Sequence, residues 1–198
     1  MQQKWAVPRS AGMLAFLDFE ASSLARDGYP IEVAWVFEDG RSESWLIRPA
    51  PNWTDWDPAA EALHHISRGH LAEHGYGHRE VAARMVEQLN GYDLVASAPS
   101  WDGKWMSALL RAGGFPRHGL RLRDSEEVQR AAASAVLSPF LPFDDREIAV
   151  EWLLANTAAC RRCRNPVHRA LPDAEQERLC WLAMRSAALA YARELQPA

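Results

Sequence analysis

Apolar residues run unbroken over Met13-Leu14-Ala15-Phe16-Leu17 and give way to Asp18-Phe19-Glu20. That pattern predicts a short central strand covered on both faces. From Pro30 to Asp39 apolar and polar positions alternate, with Ile31, Val33, Trp35 and Phe37 on one face. This is a second strand; Glu38-Asp39-Gly40 is a turn, and Ser42 to Arg48 its hairpin partner, stopped by Pro49-Ala50-Pro51. The period then becomes helical. Val81, Ala82, Met85, Val86 and Leu89 mark a helix over Arg79 to Asn90, closed by Gly91. A strand over Asp93 to Ala98, a helix over Trp101 to Ala112 and a strand over Gly119 to Arg123 follow. Asp124 or Ser125 caps a helix over Glu126 to Leu137. Further helices are expected over Glu147 to Ala159 and from Arg169 to Leu195. Residues 49–77, rich in Pro, Trp, Gly and His, read as a loop with one or two short helical turns. The order predicts an α/β fold, a mixed sheet covered by helices, in a single domain over 13–195 with a lead-in over 1–12.

Composition narrows the class. The chain has 198 residues, 48% hydrophobic and 24% charged, which suits a globular protein and excludes a disordered or low-complexity one. Its formal net charge of −4 gives no global basic field, so a nucleic acid would have to be gripped locally or through a metal. Three cysteines make a disulfide framework the weaker reading and a reducing, cytoplasmic setting the expected one. No stretch has the length and apolarity of a membrane span, so no membrane partner is expected.

Asp18 and Glu20 are two apart at the end of the buried run, so both side chains leave the same face. Two carboxylates there repel each other unless a divalent cation lies between them. The bare Asp-x-Glu pattern also occurs at 124/126, 145/147 and 173/175, but only the 18/20 pair follows a strand of this kind. A solvated turn is the competing reading. His168 stands five residues before Asp173, with Pro172 suited to a first helical turn. A neutral imidazole beside metal-held carboxylates can take a proton from water; otherwise His168 is a helix-capping residue. Asp102 follows the strand over 93–98 and opens a helix, where a dipole-complementing carboxylate is ordinary.

Taken together, a strand-end Asp-x-Glu, a mid-chain Asp after a later strand and His-x4-Asp opening a terminal helix form a specific set. The set resembles the DEDDh exonucleases, the family of the proofreading subunit of bacterial DNA polymerase III, ribonuclease T and oligoribonuclease. The matching segments are Phe16 to Leu24, Leu94 to Asp102 and His168 to Ala174, with Trp45 to Pro49 and Leu63 to Ser67 as lesser landmarks. The sequence departs from the pattern in having Ala21 where many relatives have Thr, His65 where many have Gly, and Ser97 and Trp101 before Asp102 without the usual Asn and Phe.

The resemblance implies a ribonuclease H-like mixed five-stranded sheet with helices on both faces. It implies a metal-dependent 3′–5′ exonuclease that hydrolyses phosphodiesters at single-stranded DNA or RNA 3′ ends and releases 5′-mononucleotides. Asp18, Glu20, Asp102 and Asp173 would hold two Mg²⁺ or Mn²⁺ ions, Asp102 through water, and His168 would be the general base. Homodimer formation or association with a polymerase is compatible with the family. The alternative is the same fold kept as a non-catalytic nucleic-acid-binding or polymerase-associated subunit.

Other features stay open on sequence. Trp101 and Trp105, one turn apart, either stack a terminal base or pack in the core. Leu24 is either an apolar wedge between the last two bases or ordinary packing, and Ala21 lies beside it in the first motif. Trp53 and Trp56, in a proline-rich loop, read as loop anchors first and as a substrate lip or a dimer contact otherwise. Cys160 and Cys163 are a lone Cys-x-x-Cys, short of the four ligands that structural zinc takes. Arg161, Arg162, Arg164 and Arg169 either guide a phosphate backbone or form a solvated loop. His70, His74 and His78 recur every four residues, but Gly69, Gly75 and Gly77 argue against a helix there.

Overall fold

The computed structural model describes residues 13–162 and 167–196. The lead-in over 1–12 and the side chains of Cys160, Arg161, Arg162, Cys163 and Arg164 lie outside the described residues. The elements run β1 (Leu14–Ala21), β2 (Pro30–Phe37), β3 (Ser42–Arg48), α1 (Pro58–His64), α2 (Arg68–His74), β4 (Tyr76–Gly77), α3 (His78–Leu89), β5 (Asp93–Ala96), α4 (Pro99–Gly113), β6 (Leu122–Asp124), α5 (Ser125–Leu137), α6 (Phe143–Arg162) and α7 (Ala170–Glu194). The sheet order is β4-β3-β2-β1-β5-β6. The β1/β2 and β2/β3 pairs are antiparallel; β1/β5, β5/β6 and β3/β4 are parallel. The sheet is therefore mixed, as expected. It gains a sixth strand in the two-residue β4, too short to leave an alternation in the sequence.

β1 sorts its side chains to two layers, and this places the chemistry. Ala15, Leu17 and Phe19 enter the core shared with Val81, Met85 and Leu89 of α3 and Trp105, Leu109 and Leu110 of α4. Leu14 and Phe16 point the other way, to Val128 of α5 and Trp181 of α7. Asp18 and Glu20 continue that second set, because alternate residues of a strand share a face. β1 runs to Ala21 rather than ending at Leu17, so the two carboxylates stand on the strand itself. Beyond the sheet, α5, α6 and α7 close a third apolar layer around Leu137, Val150, Met184 and Ala188.

The segment over 49–77 holds more helix than expected. α2 carries Gly69 in its first turn, starts at Ser67, whose hydroxyl accepts from His70 N–H at 3.1 Å, and ends at Gly75. Its glycines thus sit at the ends, where they cost little. Gly75 is needed there: a Cβ would lie 2.4 Å from Leu71 O and 2.8 Å from Arg48 N. His70 and His74 meet along the helix with their rings tilted by 54°, centroids 4.6 Å apart. Trp53 and Trp56 anchor the segment by packing on the buried Tyr29, at 5.3 and 6.5 Å. α6 begins at Phe143, four residues before the expected start, and Asp124 caps α5 by accepting from Glu126 and Glu127 N–H.

His65, which stands where the DEDDh pattern has Gly, ends α1 in the left-handed region at φ 57°. Its side chain is exposed. His65→Gly is expected to stabilise the protein by about 0.5–1 kcal/mol, the steric relief outweighing the added chain entropy. A melting temperature unchanged or lowered would show that the turn carries no strain.

Candidate active site

Two helices aim carboxylates at β1 by one device. On α4 the buried stripe Trp105, Met106, Leu109 and Leu110 continues at its N-terminal end into Asp102. On α7 the buried stripe is Trp181, Met184, Ala188 and Ala192. One and two turns upstream on the same face stand Glu177 and Asp173. Each helix replaces apolar residues by acids where its packed face passes the end of β1.

The result is a dense acidic centre. Asp18, Glu20 and Asp173 each present a carboxylate oxygen, all within 4.8 Å of one another. Asp102 is buried, and its Oδ2 has no hydrogen-bond partner among the described residues. Burial and the neighbouring acids Asp102, Glu20, Asp173 and Glu177 push the Asp18 carboxyl well above the usual carboxylate range. Burial, then Asp173 and Glu32, push Glu20 up to about 8, with Arg169 opposing. Burial pushes Asp102 up to about 7 against backbone hydrogen bonds that favour its charge. Four or five acids held in one place without a cation are frustrated, and their hard oxygen donors match Mg²⁺ or Mn²⁺.

A carboxyl raised in the folded state holds its proton up to a higher pH than in the unfolded chain. The metal-free protein therefore loses stability as pH rises from about 4.5, the ordinary glutamate value, through about 8 for Glu20. A cation must displace those protons, so its affinity rises across the same window. The melting temperature without metal should fall from pH 6 to pH 8, and Mn²⁺ should bind at least ~10-fold more tightly at pH 8. Equal affinity at both values would contradict the assignment.

His168 precedes α7, half-buried, with φ at 54°. The chain on each side of it is tied down. Val167 N–H donates to Asp173 Oδ1 at 3.3 Å, and Arg169 makes a bidentate pair with Glu32, at 2.7 and 3.0 Å.

Beyond Ala21, at the end of β1, the chain forms a pinned loop. Ser22 N–H donates to Tyr29 O at 2.9 Å, Tyr29 N–H to Ser22 Oγ at 3.1 Å, and Ser23 Oγ donates to Asp55. Gly28 permits this closure, since a Cβ there would lie 2.5 Å from Ser23 O. The loop holds Leu24 outward, 67% exposed. Across from it, Lys104 Nζ donates to Ala25 O at 2.6 Å and lies 4.0 Å from the Trp105 ring centroid and 5.2 Å from that of Trp101. The two rings are stacked at 6.0 Å. Trp105 is buried at 2%, so of the pair Trp101, at 42%, offers the open face.

Three residues of this neighbourhood were not singled out from the sequence. Glu177 lies four residues after Asp173, a spacing that puts both on one helical face. Glu32 sits in β2 opposite Glu20. Lys104 falls between the two tryptophans of α4.

No protein-family model matches the chain, and no curated protein matches it. Solved structures do. The fold is the ribonuclease H-like exonuclease fold. Exonuclease I from Methylocaldum szegediense aligns with a TM-score of 0.53 and 19% identity over 62% of this chain and 29% of that one. E. coli exonuclease I in complex with a 5cy-dA13 oligonucleotide gives 0.51 and 17% over 62% and 30%. The zinc-bound E. coli exonuclease I–ssDNA complex gives 0.57 and 16% over 92% of this chain and 41% of that one. At such identities the likeness is one of fold. This chain spans less than half the length of the exonuclease I chains it matches.

Proposed function

We propose that the chain is a metal-dependent 3′–5′ exonuclease that hydrolyses phosphodiesters at single-stranded nucleic-acid ends and releases 5′-mononucleotides, with residues 13–195 acting as one domain. The observation that carries this reading is the convergence of Asp18, Glu20 and Asp173 within 4.8 Å beside the buried Asp102. The fold shared with exonuclease I, solved with single-stranded DNA and in one case zinc, supports it.

Asp18, Glu20 and Asp173 would hold the cation directly and Asp102 would support it. Bound Mg²⁺ or Mn²⁺, two ions for a full site, supplies charge neutralisation to the phosphodiester and polarises the attacking water. The chain's own groups do the rest. His168, presented by the turn before α7, accepts the proton of that water. Leu24 and the open face of Trp101 receive the terminal bases, one by apolar contact and one by stacking. Trp105 backs Trp101, and Ala21, the last residue of β1, adjoins the loop that carries Leu24. Lys104 keeps the two walls together.

The local nature of this grip has a measurable consequence. With net charge −4, the chain should neutralise few phosphates. Plotting log affinity for single-stranded DNA against log salt should give a slope shallower than about −2. A steep slope would place binding on a basic surface instead. The function itself is tested with 5′-labelled single-stranded DNA and RNA, with Mg²⁺, Mn²⁺ or chelator. Products shortened stepwise from the 3′ end, lost with chelator, are expected. Binding without hydrolysis under every metal condition would favour the non-catalytic subunit.

A further inference from the structure

Glu32 is a carboxylate in the middle of the sheet, 2% exposed, with every residue of β2 buried around it. It stands directly across from Glu20, so the two acids share a face. Burying a second carboxylate beside a metal-binding one is costly unless something specific satisfies it. Both oxygens are satisfied, and by one short segment. Oε1 accepts from Arg169 Nη2 at 2.7 Å; Oε2 accepts from Arg169 Nε at 3.0 Å and from Ala170 N–H at 3.0 Å.

That segment begins where His168 ends. Arg169, the residue before α7, gives the helix no side-chain cap, and the Glu32 carboxylate serves the helix's first free amide from the sheet face beneath it. A non-glycine residue at φ 54° is held there only when its surroundings over-determine it. Here the chain is fixed immediately after His168 by three hydrogen bonds to a buried, rigid strand. The Arg169 fork sets orientation as well as distance, which an ammonium would not.

We infer that Glu32 is a positioning residue for the reaction, holding through Arg169 and Ala170 N–H the left-handed turn that presents His168. This rests on the exonuclease reading above. Glu32 does not touch the reacting atoms; it acts by fixing where the imidazole stands. Asp173 keeps its place through the packed stripe of α7, and Arg169→Lys leaves the opposed charges beside Glu20 in place, so that variant separates the turn from the cation seat.

The test is a double-mutant cycle. Glu32→Gln keeps the shape and one acceptor; Arg169→Lys keeps the charge opposite Glu32 but loses the fork. Each is made alone and with His168→Ala in the full chain. Single-turnover rate, KM for single-stranded DNA and the Mn²⁺-induced rise in melting temperature are measured. Each single variant should lose ~10- to 100-fold in rate, with KM changed less than about twofold, and Arg169→Lys, which keeps both charges, should retain the Mn²⁺ response. In the His168→Ala background the same substitutions should cost less than about twofold, since the group they position is gone. An equal loss with and without His168, or no loss in either variant, overturns the inference while leaving the exonuclease reading standing. An inactive wild type overturns that reading itself. If Glu32→Gln does not fold, Arg169→Lys decides alone by the same criteria.

Discussion

Asp18→Asn is expected to lower hydrolysis at 3′ ends by ~10³-fold or more and, in the same protein, to raise the melting temperature measured without metal. The opposing effects have one cause. Asp18 is the acid most enclosed by others, and burial with Asp102, Glu20, Asp173 and Glu177 around it disfavours its charge. Removing that ionisable group relieves the metal-free protein, and for a chain of this size each kcal/mol gained raises the melting temperature by about 2–4 °C. It also removes a direct oxygen ligand, and with it the response of the melting temperature to Mn²⁺. Melting curves at pH 8 with and without Mn²⁺, beside a rate assay, check both halves. Asp18 as a merely structural residue would give the reverse, a destabilised protein with its Mn²⁺ response intact.

His168→Ala should separate from this cleanly. A positioned general base contributes about 10²–10⁴ to rate, and loss of that order is expected. His168 is not among the residues that gather their donors within 4.8 Å, so the Mn²⁺-induced stabilisation should match wild type. The residue leaves φ 54° for any substitute to adopt, and alanine pays a small strain there, about 1 kcal/mol. A drop of a few degrees in melting temperature is therefore compatible with the role. Near-wild-type turnover in this variant would remove the imidazole from the mechanism.

Legibility from sequence followed the physics of each signal. Asp18 and Glu20 were visible because they close a short apolar run of the kind a buried strand produces. Asp102 and Asp173 were visible through their place after a strand and at a helix start, and through the order of the whole set. Glu177 was hidden because a single acid in a long helix is usually solvated; only its four-residue offset from Asp173 marks it. Glu32 was hidden for a different reason. The alternation of Ile31, Val33, Trp35 and Phe37 reads as a strand with one apolar face and one wet face, and Glu32 falls on the side that looks wet. In fact α7 covers that side, with Ala34 and Val36 as buried as the rest. Long-range coverage leaves no local trace. The same holds for Trp105 against Trp101: spacing puts them on one helical face, but only the packed core decides which ring is open. The glycines around α2 misled because their meaning depends on whether they fall inside a helix or at its ends.

Everything proposed for this protein depends on the acids at the end of β1 being a seat for divalent cations. Anomalous diffraction from a crystal soaked in Mn²⁺ at pH 8 tests that most directly. A manganese peak bonded to Asp18, Glu20 and Asp173 is expected, with Asp102 within reach of its hydration shell. Soaked crystals showing no manganese at those carboxylates would contradict it.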